Sequence, residues 1–149
     1  MTINPTHHML IVEDNPDHFE IMQRLIKKSS TPVEITWLQD GQECLEYLNC
    51  LEQRVENLDE PLPELAVLDL RLPGADGITV LQRIKTSPFL QLMVTVIFTS
   101  SSHIRDVNTA YRNNANSYLV KPADLASFSE LVVMLQNYWL NFNQPPVSH

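Results

Sequence analysis

Five short apolar runs, each followed by a stretch of helical periodicity, leave this chain few ways to fold. The runs are Met9–Leu10–Ile11–Val12, Val33–Glu34–Ile35–Thr36–Trp37–Leu38, Leu65–Ala66–Val67–Leu68, Met93 to Phe98, and Tyr118–Leu119–Val120. Strand–helix alternation of this kind predicts an α/β fold, a doubly wound five-stranded parallel sheet with helices on both faces. The second run alternates like a half-exposed strand, so it belongs at or near an edge. Four runs end on polar residues: Glu13–Asp14, Asp69, Thr99 and Lys121–Pro122. A bare carboxylate at the end of a buried strand is costly unless something there uses the charge. In an open parallel sheet those ends lie side by side, at the edge where such sheets bind ligands.

Between the strands the helical signals are local. Asn15 can cap and Pro16 suits a first helical position, ahead of Phe19, Met22, Leu25 and Ile26 at helical spacing. A second helix is predicted from Gly41 to Cys50 with Leu45, Leu48 and Leu51 as its stripe, followed by a long polar loop from Gln53 to Pro63. After the Asp69 strand comes the turn Leu72–Pro73–Gly74–Ala75–Asp76–Gly77. The next helix carries Ile78, Leu81 and Ile84 and stops near Ser87–Pro88. The fourth is marked by Ile104, Val107 and Tyr111. The last, from near Asp124, has a core stripe of Leu125, Phe128, Leu131, Val132, Leu135, Tyr138, Trp139 and Phe142. Val133, Met134 and Leu140 lie outside that stripe, and a helix apolar on more than one face implies a partner. The tail after Asn143 is expected to fray.

With 149 residues and no internal repeat, one domain is expected over 1–149, its core about 9–143, with no output domain. The formal net charge of −8 argues against nucleic acid and anionic lipid as partners. No apolar stretch approaches the roughly 18 residues of a membrane helix, and Met1 to His8 lack the order of a secretion signal, so a soluble cytoplasmic protein is expected. Cys44 and Cys50, six residues apart on one helix, point about 240° from each other. They are read as two buried thiols, neither a disulfide nor a metal pair, in keeping with a reducing compartment. His7, His8, His18, His103 and His149 have no metal-ligand spacing and are read as surface residues.

Bringing Glu13, Asp14 and Asp69 together first produces repulsion. Two carboxylates 4 Å apart cost about 4 kcal/mol at an effective dielectric of 20. A divalent cation removes that penalty, and all-oxygen ligation favours a hard ion such as Mg2+. Asp69 is then a plausible nucleophile toward phosphorus, Lys121 and the metal neutralise the transferring oxygens, Thr99 donates a hydrogen bond, and Ser100 is small enough to admit the group. Taken singly, Lys121 is an ordinary solvated strand end, Thr99 a helix cap and Tyr118 a half-buried aromatic. Their joint arrangement is not ordinary.

The ordered set resembles the receiver domains of two-component response regulators. It comprises the acid pair Glu13–Asp14, Asp69, the turn ending Asp76–Gly77, Thr99, Tyr118 and Lys121–Pro122, with intervals of 30 and 22 residues between Asp69, Thr99 and Lys121. The resemblance implies strand order 2-1-3-4-5 and phosphorylation of Asp69 by a histidine kinase. It further implies Mg2+ held by Asp14, Asp69 and the Arg71 carbonyl, with Glu13 acting through a metal-bound water. Lys121 would pair with Asp69 and then with the phosphoryl group, Thr99 and Tyr118 would form the switch, and a cis bond would precede Pro122. The Gln53–Pro63 loop and the ending Phe128…Tyr138–Trp139–Leu140 look like stand-alone regulators paired with phytochrome-type kinases. On that reading the protein is no enzyme beyond its own phosphorylation and dephosphorylation. It signals by contact, with homodimerisation or kinase docking through the helices and strand beside the switch, and Arg71 slows hydrolysis of the acyl phosphate. A flavodoxin-like cofactor binder would want a glycine- and hydroxyl-rich phosphate loop where Glu13–Asp14–Asn15–Pro16 stands. An aspartate-nucleophile phosphatase would want an acid where Arg71 stands. A pseudo-receiver scaffold would lack the acceptor, metal and switch residues.

Overall fold

Strands β1 (His7–Val12), β2 (Val33–Leu38), β3 (Leu65–Leu68), β4 (Thr95–Thr99) and β5 (Ser117–Val120) are all parallel and stand in the order β2-β1-β3-β4-β5. This computed structural model describes residues 6–146. The readings made for His149 and for the last residues of the tail lie outside the described residues. The helices are α1 (Pro16–Ile26), α2 (Gly41–Leu58), α3 (Gly77–Lys85), α4 (Ile104–Arg112) and α5 (Leu125–Gln136), the last continuing into a π-helical turn over Asn137–Phe142. None of them is long and apolar enough to cross a membrane.

Strand alternation sorts the core into two layers. Leu10, Val12, Ala66, Leu68 and Ile97 face α2 and α3, where Cys44, Leu48, Leu51, Val80, Leu81 and Ile84 cover them. Met9, Ile11, Leu65, Val67, Val96 and Phe98 face α1 and α5, against Phe19, Met22, Ile26, Phe128, Val132 and Leu135. The central strands are therefore buried on both faces, which explains why they read as continuous apolar runs. Four helices begin on a side-chain cap: Asn15, Asp40, Asp76 and Asp124 each accept from backbone N–H groups of the first turn. At the start of α4, His103 makes no such bond.

All three glycines of the chain converge on the turn after Asp69. A Cβ on Gly77 would lie 2.2 Å from the Asp69 carbonyl oxygen, and one on Gly41 would lie 1.7 Å from that of Ala75. Only glycine lets the starts of α2 and α3 close so tightly around the strand end that carries Asp69.

Several expectations are corrected. The second helix runs to Leu58, because Val55 extends the buried series Cys44, Leu48 and Leu51 by one further turn, and the loop begins only at Asp59. Cys44 is buried but Cys50 is exposed; the same angular separation that keeps the thiols apart sends one to the sheet and the other to solvent. Ile104 and Tyr111 on α4 are exposed (78% and 49%), Val107 is half-buried and only Ala110 is fully buried, so two of the three residues that mark this helix face solvent. In the final helix Leu125, Tyr138 and Phe142 are exposed while Leu140 is buried. The π turn changes the phase: Asn143 N–H bonds to the Tyr138 carbonyl, five residues back, and this rotates Leu140 inward. No peptide bond among the described residues is cis, so Lys121–Pro122 is trans. Trans is the intrinsically favoured isomer, and the bond from Lys121 N–H to the Thr99 carbonyl (2.7 Å) continues the β4–β5 ladder and places Lys121 without a cis link.

Candidate functional site

The C-terminal ends of β1, β3, β4 and β5 open into one cleft of about 290 Å³, lined by Asp14, Asn15, His18, Asp69, Arg71, Thr99, Ser100 and Lys121. Glu13 lies behind this lining, with only 3% of its surface exposed. The Lys121 ammonium is buried between two acids. It donates to Asp69 Oδ2 at 2.6 Å and to Glu13 Oε1. The Arg71 backbone N–H holds the other Asp69 oxygen at 3.1 Å. One ammonium cannot neutralise two carboxylates, and the titrations divide accordingly. Burial pushes the Glu13 carboxyl up to about 7 against the opposing pull of Lys121. Burial pushes Asp69 the same way, but Lys121 and the Arg71 N–H outweigh it and hold Asp69 below the usual carboxylate range.

Among the described residues, two buried side-chain atoms have no hydrogen-bond partner: Glu13 Oε2 and Thr99 Oγ1. Buried polar atoms are seldom left this way; Thr99 lines the cleft and Glu13 lies behind it. One carboxylate oxygen from each of Glu13, Asp14 and Asp69 lies within 4.8 Å of the others. This all-oxygen set, with an orphaned acceptor on Glu13, fits a hard divalent cation. The Thr99 hydroxyl is a donor without an acceptor, placed for an anionic oxygen.

The structure thus gathers Glu13, Asp14, Asp69, Arg71, Thr99 and Lys121 at one sheet edge. Tyr118 stands apart from them, and its hydroxyl donates to the Ser101 carbonyl at 2.9 Å. The Arg71 guanidinium reaches across to Asp106 on α4 at 2.8 Å, and Ser101 Oγ bonds to the same carboxylate. Hydrogen bonds therefore run from Asp69 through Arg71 to the start of α4.

Two neighbours of the acids were not foreseen. The Trp37 indole on β2 donates to the Glu13 carbonyl at 2.8 Å and stacks on Phe19 with ring centres 3.9 Å apart. His18, read as a surface residue, lines the cleft with Nδ1 3.1 Å from Lys121 Nζ and 3.3 Å from Glu13 Oε1. Burial, followed by the Lys121 charge, lowers its pKa. No local spacing marks His18, because Asp14 precedes the helix cap Asn15 and one-turn spacing relates only residues within a helix.

Comparison with known proteins agrees with this geometry. The sequence pattern of the response regulator receiver domain matches residues 9–133. The probable methanogenesis regulatory protein FilR2 of Methanothrix harundinacea is 37% identical over 93% of the chain and 86% of its own length. Response regulator Rcp1 of Synechocystis is 34% identical over 92% of the chain and 91% of its length, and its crystal structure in a Mn2+-bound form superposes with a TM-score of 0.83 over 95% of the chain and 99% of its own. The phosphorylated cyanobacterial phytochrome response regulator RcpA superposes with a TM-score of 0.86 at 30% identity, again over 95% of the chain and 99% of its own.

Proposed function

The chain belongs to the response regulator receiver family, and from that membership we propose that Asp69 accepts a phosphoryl group from a histidine kinase and that contact with a partner reads the result. The observation that carries this is the fully buried Thr99 hydroxyl, left without a partner beside the Asp69–Lys121 pair. Asp69, kept ionised below the usual carboxylate range, attacks phosphorus, so that a P–O bond forms as the P–N bond to the kinase histidine breaks. Asp14, Asp69 and the Arg71 carbonyl would hold Mg2+, with Glu13 behind them. The ion supplies charge neutralisation for the transferred oxygens. Lys121 shifts from the Asp69 carboxylate to a phosphoryl oxygen, and Thr99 donates to another.

Tyr118 sits where the consequence is read. Its hydroxyl bonds to the loop before α4, and around it Ile104, Tyr111, Val120 and Leu125 are exposed. A population shift at this face changes an apolar surface on which homodimerisation or kinase docking can act. The similarity to the phytochrome response regulator RcpA supports a phytochrome-type kinase as donor, and in this proposal the two proteins meet in the cytoplasm. Incubation with acetyl phosphate and Mg2+, followed by intact-mass measurement, tests the reading. A gain of about 80 Da in the wild type and none in Asp69→Ala is expected. An unmodified wild type refutes it.

A further inference from the structure

We propose that His18 is a positioning residue for Lys121, the third acceptor that keeps the ammonium aimed at a phosphoryl group on Asp69. The inference rests on the phosphoacceptor reading above. A lysine ammonium has three N–H donors, and the structure accounts for each: Glu13 Oε1, Asp69 Oδ2 and His18 Nδ1. The Lys121 side chain is only 4% exposed, so solvent is a poor substitute for any of them. The imidazole is itself held in place. Its backbone N–H is capped by Asn15 Oδ1, and its ring lies 5.2 Å from that of Phe128. A charged ammonium can only donate, so the shorter contact of Nδ1, 3.1 Å to Lys121 against 3.3 Å to Glu13 Oε1, assigns Nδ1 as acceptor and the ring proton to Nε2.

Phosphorylation exchanges only one of the three contacts. When Asp69 becomes an acyl phosphate, its negative charge moves outward to the phosphoryl oxygens, and the ammonium follows. Glu13 and His18 remain as two fixed points, and two points leave the third N–H a single direction. With Glu13 alone, the ammonium pivots about one bond and loses that direction. The imidazole thus acts on phosphoryl capture through Lys121, without touching the phosphoryl group or the metal.

Two substitutions separate this role from packing. His18→Phe keeps a ring against Phe128 but has no acceptor, whereas His18→Asn keeps an acceptor near the place of Nδ1 and loses the ring. With Mg2+ at fixed pH, beryllofluoride affinity is expected to fall about fivefold in His18→Phe and to stay within about twofold of wild type in His18→Asn. Affinity for Mg2+ alone should be unchanged in both. The Lys121 Nζ protons, followed by NMR, should exchange with solvent faster in His18→Phe than in wild type or His18→Asn. If His18→Phe does not fold, His18→Ala takes its place against His18→Asn. Equal analogue affinity in all three proteins, a His18→Asn variant as weak as His18→Phe, or a parallel loss of Mg2+ affinity overturns the proposal. A wild type that binds no beryllofluoride and gains no mass from acetyl phosphate overturns the phosphoacceptor reading instead, while the proton exchange still reports whether His18 holds Lys121.

Discussion

The two ends of the functional edge are built to different standards. Where β1 and β3 deliver Glu13, Asp14 and Asp69, the strands are buried on both faces, the following helices are capped by Asn15 and Asp76, and glycine at 77 locks the backbone of Asp69. Where α4 and β5 meet around Tyr118, α4 starts without a side-chain cap and buries only Ala110, and no residue of β5 is fully buried. The first region presents chemistry that fails if the oxygens drift. The second is held by few apolar contacts and by the polar chain Arg71–Asp106–Ser101–Tyr118, so a small free energy suffices to move it. A closely packed acid cluster and a sparsely packed helix–strand pair thus share one sheet edge.

Four predictions test the contrast. Lys121→Met strands two buried carboxylates and should destabilise the fold by about 4 kcal/mol at pH 8 in urea titration, with partial recovery as the pH falls and Glu13 protonates. A neutral effect would mean that the capture region is wetter than its burial indicates. Leu68→Ala, in the first region, should cost about 3 kcal/mol, while Ile104→Ala on α4 should stay within about 0.5 kcal/mol. Comparable losses in the two would erase the distinction.

The third prediction concerns pH. The Glu13 carboxyl is raised from 4.5 to about 7 in the folded protein, so its neutral form is the one the fold favours. That contribution is complete below the unfolded value and is lost as the pH rises through about 7. Glu13→Gln should therefore leave Tm unchanged at pH 4.5 and raise it by about 3 °C at pH 8, while weakening Mg2+ binding. Asp69 has the opposite sign: its depressed value contributes stability that disappears only as the pH falls below 3.8. The smallest effect belongs to Arg71→Ala, which removes the exposed guanidinium, paired with Asp106, that is proposed to turn toward the phosphoryl group. It should shorten the acyl-phosphate lifetime about threefold, and an unchanged decay of the phosphorylated mass would show that Arg71 serves α4 alone.

Legibility followed the same division. The buried strands, the cap at Asn15, the helix start near Asp124 and the acids of the site could be read locally, because a strand end or a helix start is set by a handful of adjacent residues. Among the readings that failed, three show what adjacent residues do not carry. The stripe Ile104, Val107 and Tyr111 has helical spacing, yet spacing does not say which side of α4 the sheet lies on. Leu140 was placed outside the core because its burial depends on a π turn that shifts the phase of the helix. His18 has no distinctive spacing among histidines and gains its importance from Lys121, 103 residues away.

Periodicity and turn chemistry act over a few residues, and they suffice for an alternating α/β chain whose strands end on Glu13, Asp14, Asp69, Thr99 and Lys121. Which apolar faces stay uncovered, that Lys121 meets the acids while its bond to Pro122 is trans, and that His18 completes the shell around its ammonium emerge only once the chain is folded. Those outcomes depend on through-space burial and charge between segments remote in sequence, which no local pattern encodes.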